Sequence, residues 1–182
     1  MLDQYVIVKA IEAITSQPNK SFSVRGLASA IRISPGSSGK ALDFMAKKGI
    51  VTLKIIGRSY QYRANLESSL CRQWKILFNL DLLADSGFTK EITKKIPGLH
   101  SILLYGSFAK GTNDGKSDVD ILVIASKKPA KRHGFRSKLK REINLSIISL
   151  KEWKVKSEKE KVFYENVIYD SIVLHGTRPV VL

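Results

Sequence analysis

The sequence predicts an α+β protein built from two small folded parts, and three observations lead there. Apolar residues recur at helical spacing up to Gly49, after which the pattern turns to strand-like alternation. Two short apolar runs, 101–105 and 121–125, enclose a polar stretch rich in Gly, Ser and Asp. The length, 182 residues, lies near the border between one domain and two. The expected divisions are 1–65, helices closed by a hairpin; 66–98, linking helices; and 99–182, a sheet with flanking helices.

The first helix is expected over residues 3–15, with Ile7, Ala10, Ile11 and Ile14 on one face. Polar residues 19–21 break it. Ser23 is placed to cap a second helix, 24–31, buried through Leu27 and Ile31. Ser34-Pro35 joins a cap to a proline at the first helical position, and Gly49 ends this third helix. Leu42, Met45 and Ala46 face inward. Residues 50–55 and 59–63 then alternate about the turn Gly57-Arg58, which is a β-hairpin.

Three helices and a hairpin in this order, and the run SPGSSGKALDFMAKKGIVTLKIIGRSYQYRANL in particular, resemble a winged helix-turn-helix. The resemblance implies DNA binding, with the third helix in the major groove. Ser37, Ser38 and Lys40 would then reach bases or phosphates, and Arg58 at the hairpin tip would touch the backbone or a minor groove. The alternative is a protein-interaction wing, since Gly36 and Gly39 leave the helix short of base-reading side chains.

Asn65 is expected to cap a linking helix from residue 66, with Leu70, Trp74, Leu77 and Phe78 as its core stripe and Ser86-Gly87 as its end. A short basic helix follows over 89–95, and Pro97-Gly98 turns the chain.

Residues 101–125 read SILLYGSFAKGTNDGKSDVDILVIA. A buried strand runs into Gly106-Ser107, a helical turn follows, and Asp118-Val119-Asp120 leads into a second buried strand. Glycine after a strand lets the backbone approach a phosphate closely, and Ser107 adds a hydroxyl donor. Asp118 and Asp120 are two apart on a strand, so their carboxylates share a side. Two oxygen ligands on one face suit Mg²⁺, which keeps waters and recruits substrate phosphates.

This pattern resembles the DNA polymerase β-like nucleotidyltransferase superfamily, and within it the minimal nucleotidyltransferases, whose spacer glycine and preceding serine are matched by Gly111 and Ser117. The similarity covers about residues 99–176, including the closing FYENVIYDSIVLHG. It implies a small mixed sheet with flanking helices. It also implies that Gly106 and Ser107 hold a triphosphate, that Asp118 and Asp120 bind Mg²⁺ or Mn²⁺, and that a nucleoside monophosphate passes from an NTP, ATP first, to a hydroxyl. Lys110 stands where the family often carries a basic residue; a solvated surface lysine is the other reading.

The superfamily usually adds an acid on a later strand. Here the matching strand is 143–148, and the position is Asn144, an amide that can coordinate Mg²⁺ weakly but brings no negative charge and cannot act as a base. Glu142, two residues earlier on the same face, is the candidate substitute ligand; the other reading is a pairing with Arg141 or with solvent. Between the strands, residues 127–141 hold eight basic side chains and no acid, which reads either as a phosphate-tracking surface or as a solvated loop. Residues 152–168 form one or two helices with Trp153, Val162, Phe163 and Val167 as core, and 172–174 a short strand.

Composition bounds the rest. Apolar residues make up 43% and charged residues 26%, which fits a folded chain. A single cysteine, Cys71, excludes an internal disulfide and a Cys-cluster zinc site. His100, His133 and His175 have no metal-ligand spacing. No apolar stretch is long enough to span a membrane and no signal-peptide core opens the chain, so a cytoplasmic protein is expected. The net charge of +15 favours phosphate-rich partners. The expected activity is therefore a metal-dependent nucleotidyltransferase with a DNA-binding module, acting on nucleic acid or on a protein acceptor such as a toxin partner. Its rival is a DNA-binding transcriptional regulator whose transferase domain senses nucleotide or is inactive, and an antibiotic-modifying enzyme is a weaker third. A homodimer fits the winged-helix resemblance, without a heptad pattern to define its interface.

Overall fold

The structure, a computed structural model, describes residues 5–126, 139 and 141–181. It divides into two compact units, residues 1–78 and 79–182.

The first unit is built as its caps and apolar spacing require. Helices α1 (Val6–Ser16), α2 (Val24–Ile31) and α3 (Pro35–Lys47) precede strands β1 (Val51–Ile56) and β2 (Ser59–Ala64). Ser23 and Ser34 accept the first free amides of α2 and α3, from Gly26 and Ser37. Ile11, Ile14, Leu27, Leu42, Met45 and Ile50 form the buried centre. The strands pair antiparallel from Val51↔Ala64 to Ile56↔Ser59, closing on Gly57 with φ at +59°. Phe22 exchanges both backbone hydrogen bonds with Tyr62, and Arg63 donates to the Pro18 carbonyl at 2.9 Å, so the segment before α2 is stapled to the hairpin.

Helix α4 (Ser69–Ser86) departs from expectation at its start. Ser68, not Asn65, accepts the Cys71 amide, and the Asn65 side chain instead donates to the Gly49 carbonyl at 3.1 Å. The inward stripe also shifts. Leu70 and Leu77 are exposed, whereas Cys71 and Lys75 are buried beside half-buried Trp74 and Phe78. Lys75 reaches the Thr15 carbonyl at the end of α1, where the helix dipole favours a cation.

The second unit continues from Asn79 through α5 (Phe88–Lys95), β3 (Leu99–Tyr105), α6 (Gly106–Lys110), β4 (Val119–Ala125), β5 (Ile143–Ser149), α7 (Leu150–Lys159), α8 (Lys161–Asp170) and β6 (Ile172–Gly176). The sheet order is β5-β4-β3-β6, with β4 and β5 parallel and β3 antiparallel to both its neighbours. The sheet is thus mixed. Ile102, Leu104, Val119, Ile121 and Val123 pack against Phe88, Ile92 and Phe108 on one face. Leu103, Leu122, Ile124 and Ile148 pack against Trp153 and Val167 on the other. Strand β4 is covered on both sides, which explains its unbroken apolar run after Asp120. Val162, expected in the core, is 74% exposed because α8 begins only one residue before it and that first turn faces solvent.

Trp153 anchors α7. It is buried between Phe163 and Tyr164, and its indole N–H donates to the Pro179 carbonyl at 2.6 Å. Trp153→Ala is expected to cost about 3–5 kcal/mol of unfolding free energy in urea, the range for emptying a large aromatic site. A loss under about 1 kcal/mol would show that α7 is held by other contacts.

Candidate functional site

Three strand ends bring the motif residues together. Tyr105 on β3 lies directly opposite Asp120 on β4, and Asp120 lies beside Asn144 on β5. Alternation puts these three on the face that packs against α7 and α8, where Tyr105 meets Phe163 of α8 edge-on and Asn144 is exposed. Asp118 precedes β4 by one residue and projects to the same side. The Asn144 amide nitrogen sits 3.1 Å from Asp120 Oδ1 and 3.4 Å from Asp118 Oδ2. One donor therefore reaches both carboxylates, and Asp118, Asp120 and Asn144 form a single cluster.

Gly106 completes it. Its φ is +72°, and a Cβ added there would lie 2.3 Å from Asp120 Oδ2. The position needs glycine twice over, for the backbone turn and for the carboxylate pressed against it. Ser107 follows in the first turn of α6, whose end is set by Gly111 in the left-handed region. Lys110 forms an ion pair of 2.7 Å with Asp170, tying α6 to α8. Both partners are part-exposed, so the pair is worth at most about 1 kcal/mol, and an anionic ligand could compete for the lysine.

Glu142 is exposed, and its carbonyl accepts the Val119 amide. Among the described residues no three His, Cys, Asp or Glu side chains gather at metal-binding distances, so Glu142 does not join Asp118 and Asp120 as a third carboxylate. Of the basic run 127–141, only Leu139 and Arg141 fall within the described residues.

Several supporting residues carry no recognisable motif. The loop that delivers Asp118 is folded by Asp114, whose Oδ1 accepts the Lys116 amide at 2.9 Å and the Ser117 hydroxyl at 3.1 Å. Those donors, the Lys116 amide first, hold the Asp114 carboxyl below its ordinary range. Arg141 donates to the carbonyls of Asp114 and Ser117 while its guanidinium lies 5.2 Å from the Phe108 ring centroid. Asn79 donates to Phe108 O and Asn113 Oδ1, each at 2.9 Å. Burial, then the Asp120 charge, raises the Tyr105 phenol above its ordinary value, against a hydrogen bond with Ser146. The turn-forming run Asn113-Asp114-Gly115 is a sequence signal that could have located this bracing.

In the first unit, Lys40 on α3 and Arg58 at the hairpin tip are exposed. Ser38 is not available to a ligand. Its side chain is fully buried and donates to the Val24 carbonyl at 2.8 Å, packing α3 on α2. Ser37 is half-buried and exchanges hydrogen bonds with the cap residue Ser34.

Residues 88–179 match the family model described as polymerase beta, nucleotidyltransferase. No curated protein matches the chain. Among solved structures, human N-acetylserotonin methyltransferase, in complex with SAM, shares 14% identity over 53% of this chain and 32% of its own, with a TM-score of 0.33. A candidate nucleotidyltransferase from Sulfolobus solfataricus shares 17% identity over 58% of this chain and 86% of its own, with a TM-score of 0.35. The chain spans about a third of the methyltransferase's length, and at these scores neither likeness establishes a common fold.

Gly106→Ala should force the Asp120 carboxylate aside and strain the turn, at about 1–3 kcal/mol in chemical denaturation with the far-ultraviolet spectrum unchanged. A cost below about 0.5 kcal/mol would mean that Asp120 swings clear without loss.

Proposed function

Because the chain belongs to the polymerase beta nucleotidyltransferase family, we propose that it transfers a nucleoside monophosphate from a nucleoside triphosphate to a hydroxyl acceptor, using Mg²⁺ or Mn²⁺. The observation that carries this reading is the convergence of Asp118, Asp120 and Gly106 at one end of the sheet. The donor set suits a hard divalent cation, since an oxygen of each of two carboxylates lies within 3.4 Å of the same amide nitrogen and solvent and phosphate oxygens can supply further ligands. Asp118 and Asp120 would hold the ion, and when bound it supplies charge neutralisation at the phosphate oxygens.

The remaining chemistry falls to the chain. Gly106 leaves room for the Asp120 carboxylate against the β3–α6 turn, and Ser107, in the first turn of α6, offers a hydroxyl donor to the triphosphate beside it. Lys110 can exchange Asp170 for a phosphate oxygen. The acceptor oxygen bonds to the α-phosphorus as the bond to the bridging oxygen breaks, and pyrophosphate leaves in line. Positioning and electrostatics, rather than covalent work by the protein, lower the barrier. ATP is the nucleotide proposed first, and the acceptor is a hydroxyl of nucleic acid or of a partner protein, such as a toxin.

For the first unit we propose a winged helix-turn-helix that binds DNA. The order α1-α2-α3-β1-β2 and the excess of 10 basic over 3 acidic residues in 1–65 support it, with Lys40 and Arg58 as phosphate contacts. A second reading, a DNA-binding regulator whose transferase domain senses nucleotide without turning it over, is favoured by one observation: a neutral amide, Asn144, sits between the carboxylates.

Incubation with α-labelled ATP, Mg²⁺ and candidate acceptors separates the two. Label transfer should fall by about a hundredfold or more in the double variant Asp118→Ala, Asp120→Ala, the scale of losing a main electrostatic stabiliser. Transfer that persists in the double variant would sink the site assignment, and nucleotide binding without transfer by the wild type would favour the regulator. For DNA, Lys40→Ala with Arg58→Ala should reduce the slope of log affinity against log salt by about 2, one for each lost phosphate contact. An unchanged slope and affinity in fluorescence anisotropy would remove these residues from the interface.

A further inference from the structure

Asn144 is more than a neutral filler. Its side chain shares a register position with Asp120 across the parallel pair β4–β5, and its amide nitrogen is within 3.4 Å of an oxygen of each aspartate. Two carboxylates brought this close repel one another. The two N–H groups of one amide answer both without cancelling either charge. The cluster therefore carries two negative charges on two corners and none on the third. No other acid among the described residues completes it.

A single divalent cation balances that charge, whereas a second would meet only an amide and whatever charge the nucleotide brings. An amide has a second face. Half a turn about the terminal side-chain bond exchanges nitrogen for oxygen, and the oxygen is a neutral metal ligand. Building on the transferase reading above, we infer that this is a one-cation site in which Asn144 works as a rotor. Its nitrogen holds Asp118 and Asp120 together before the ion arrives, and its oxygen becomes the third ligand afterwards. Asn144 thereby sets the stoichiometry, and the charge it withholds keeps out a second ion.

Protein-bound Mn²⁺ is counted by electron paramagnetic resonance on the full chain, with and without a non-hydrolysable α,β-methylene ATP analogue. The wild type should hold one Mn²⁺ per chain in the presence of the analogue. Asn144→Asp, which keeps the shape and adds the missing charge, should hold two, with the first bound about tenfold more tightly. Two ions in the wild type would overturn the inference while leaving label transfer, and the transferase reading, standing. One ion in a folded Asn144→Asp would overturn Asn144 as the determinant. No ion in the wild type, and no difference from Asp118→Ala with Asp120→Ala, would bring down both readings. Should Asn144→Asp fail to fold, the wild-type count decides alone.

Discussion

Asp120 is held in a row of three, opposite Tyr105 and beside Asn144, by the backbone ladders of β3, β4 and β5. Everything else at the site follows from that register. A slip of one residue in either ladder would turn the carboxylate to the opposite face, toward Phe88, Ile92 and Phe108. Such a slip is opposed by the apolar residues that follow Asp120, because β4 is packed on both faces and each of its side chains has an assigned layer. The core therefore aims the acid. Gly106 fits within the same frame, since only a residue lacking Cβ can occupy the space against Asp120.

Around this row the chain uses side chains to brace a loop that no strand supports. Asp114, Ser117 and Arg141 tie the turn before Asp118 into a closed set of hydrogen bonds, and Asn79 with Asn113 secures its other end. The division of labour is clear: sheet register positions Asp120, and polar side chains position Asp118. These two solutions differ in robustness. Burial is non-directional and tolerant of similar apolar replacements. A hydrogen-bonded brace depends on each member, and loss of one leaves others unsatisfied.

Much of this was legible in the sequence because it rests on local rules. Ser23 and Ser34 announced their helices, Gly57-Arg58 its turn, and the Gly-Ser and Asp-x-Asp spacing its strand–turn–strand arrangement. The failures have physical causes. Asn65 and Ser68 are both good caps, and the choice between them was made by the Gly49 carbonyl, a distant partner that captured Asn65. Ser38 looked like an exposed reader of DNA, but the close packing of α3 on α2 buried it. Leu70 and Leu77 matched helical periodicity with Trp74 and Phe78 as well as Cys71 and Lys75 did, and tertiary packing chose the latter pair. Arg141 and Tyr105 were invisible as site-supporting residues, because their roles arise from pairings across the fold.

The double coverage of β4 has a kinetic meaning as well. Amides of a strand buried on both faces exchange their hydrogens with solvent only when the whole unit opens. Asp120 thus leads into a strand whose amides are expected to be among the last to exchange of those described in the second unit. A ligand bound at this end of the sheet, as proposed above, would rest against that strand.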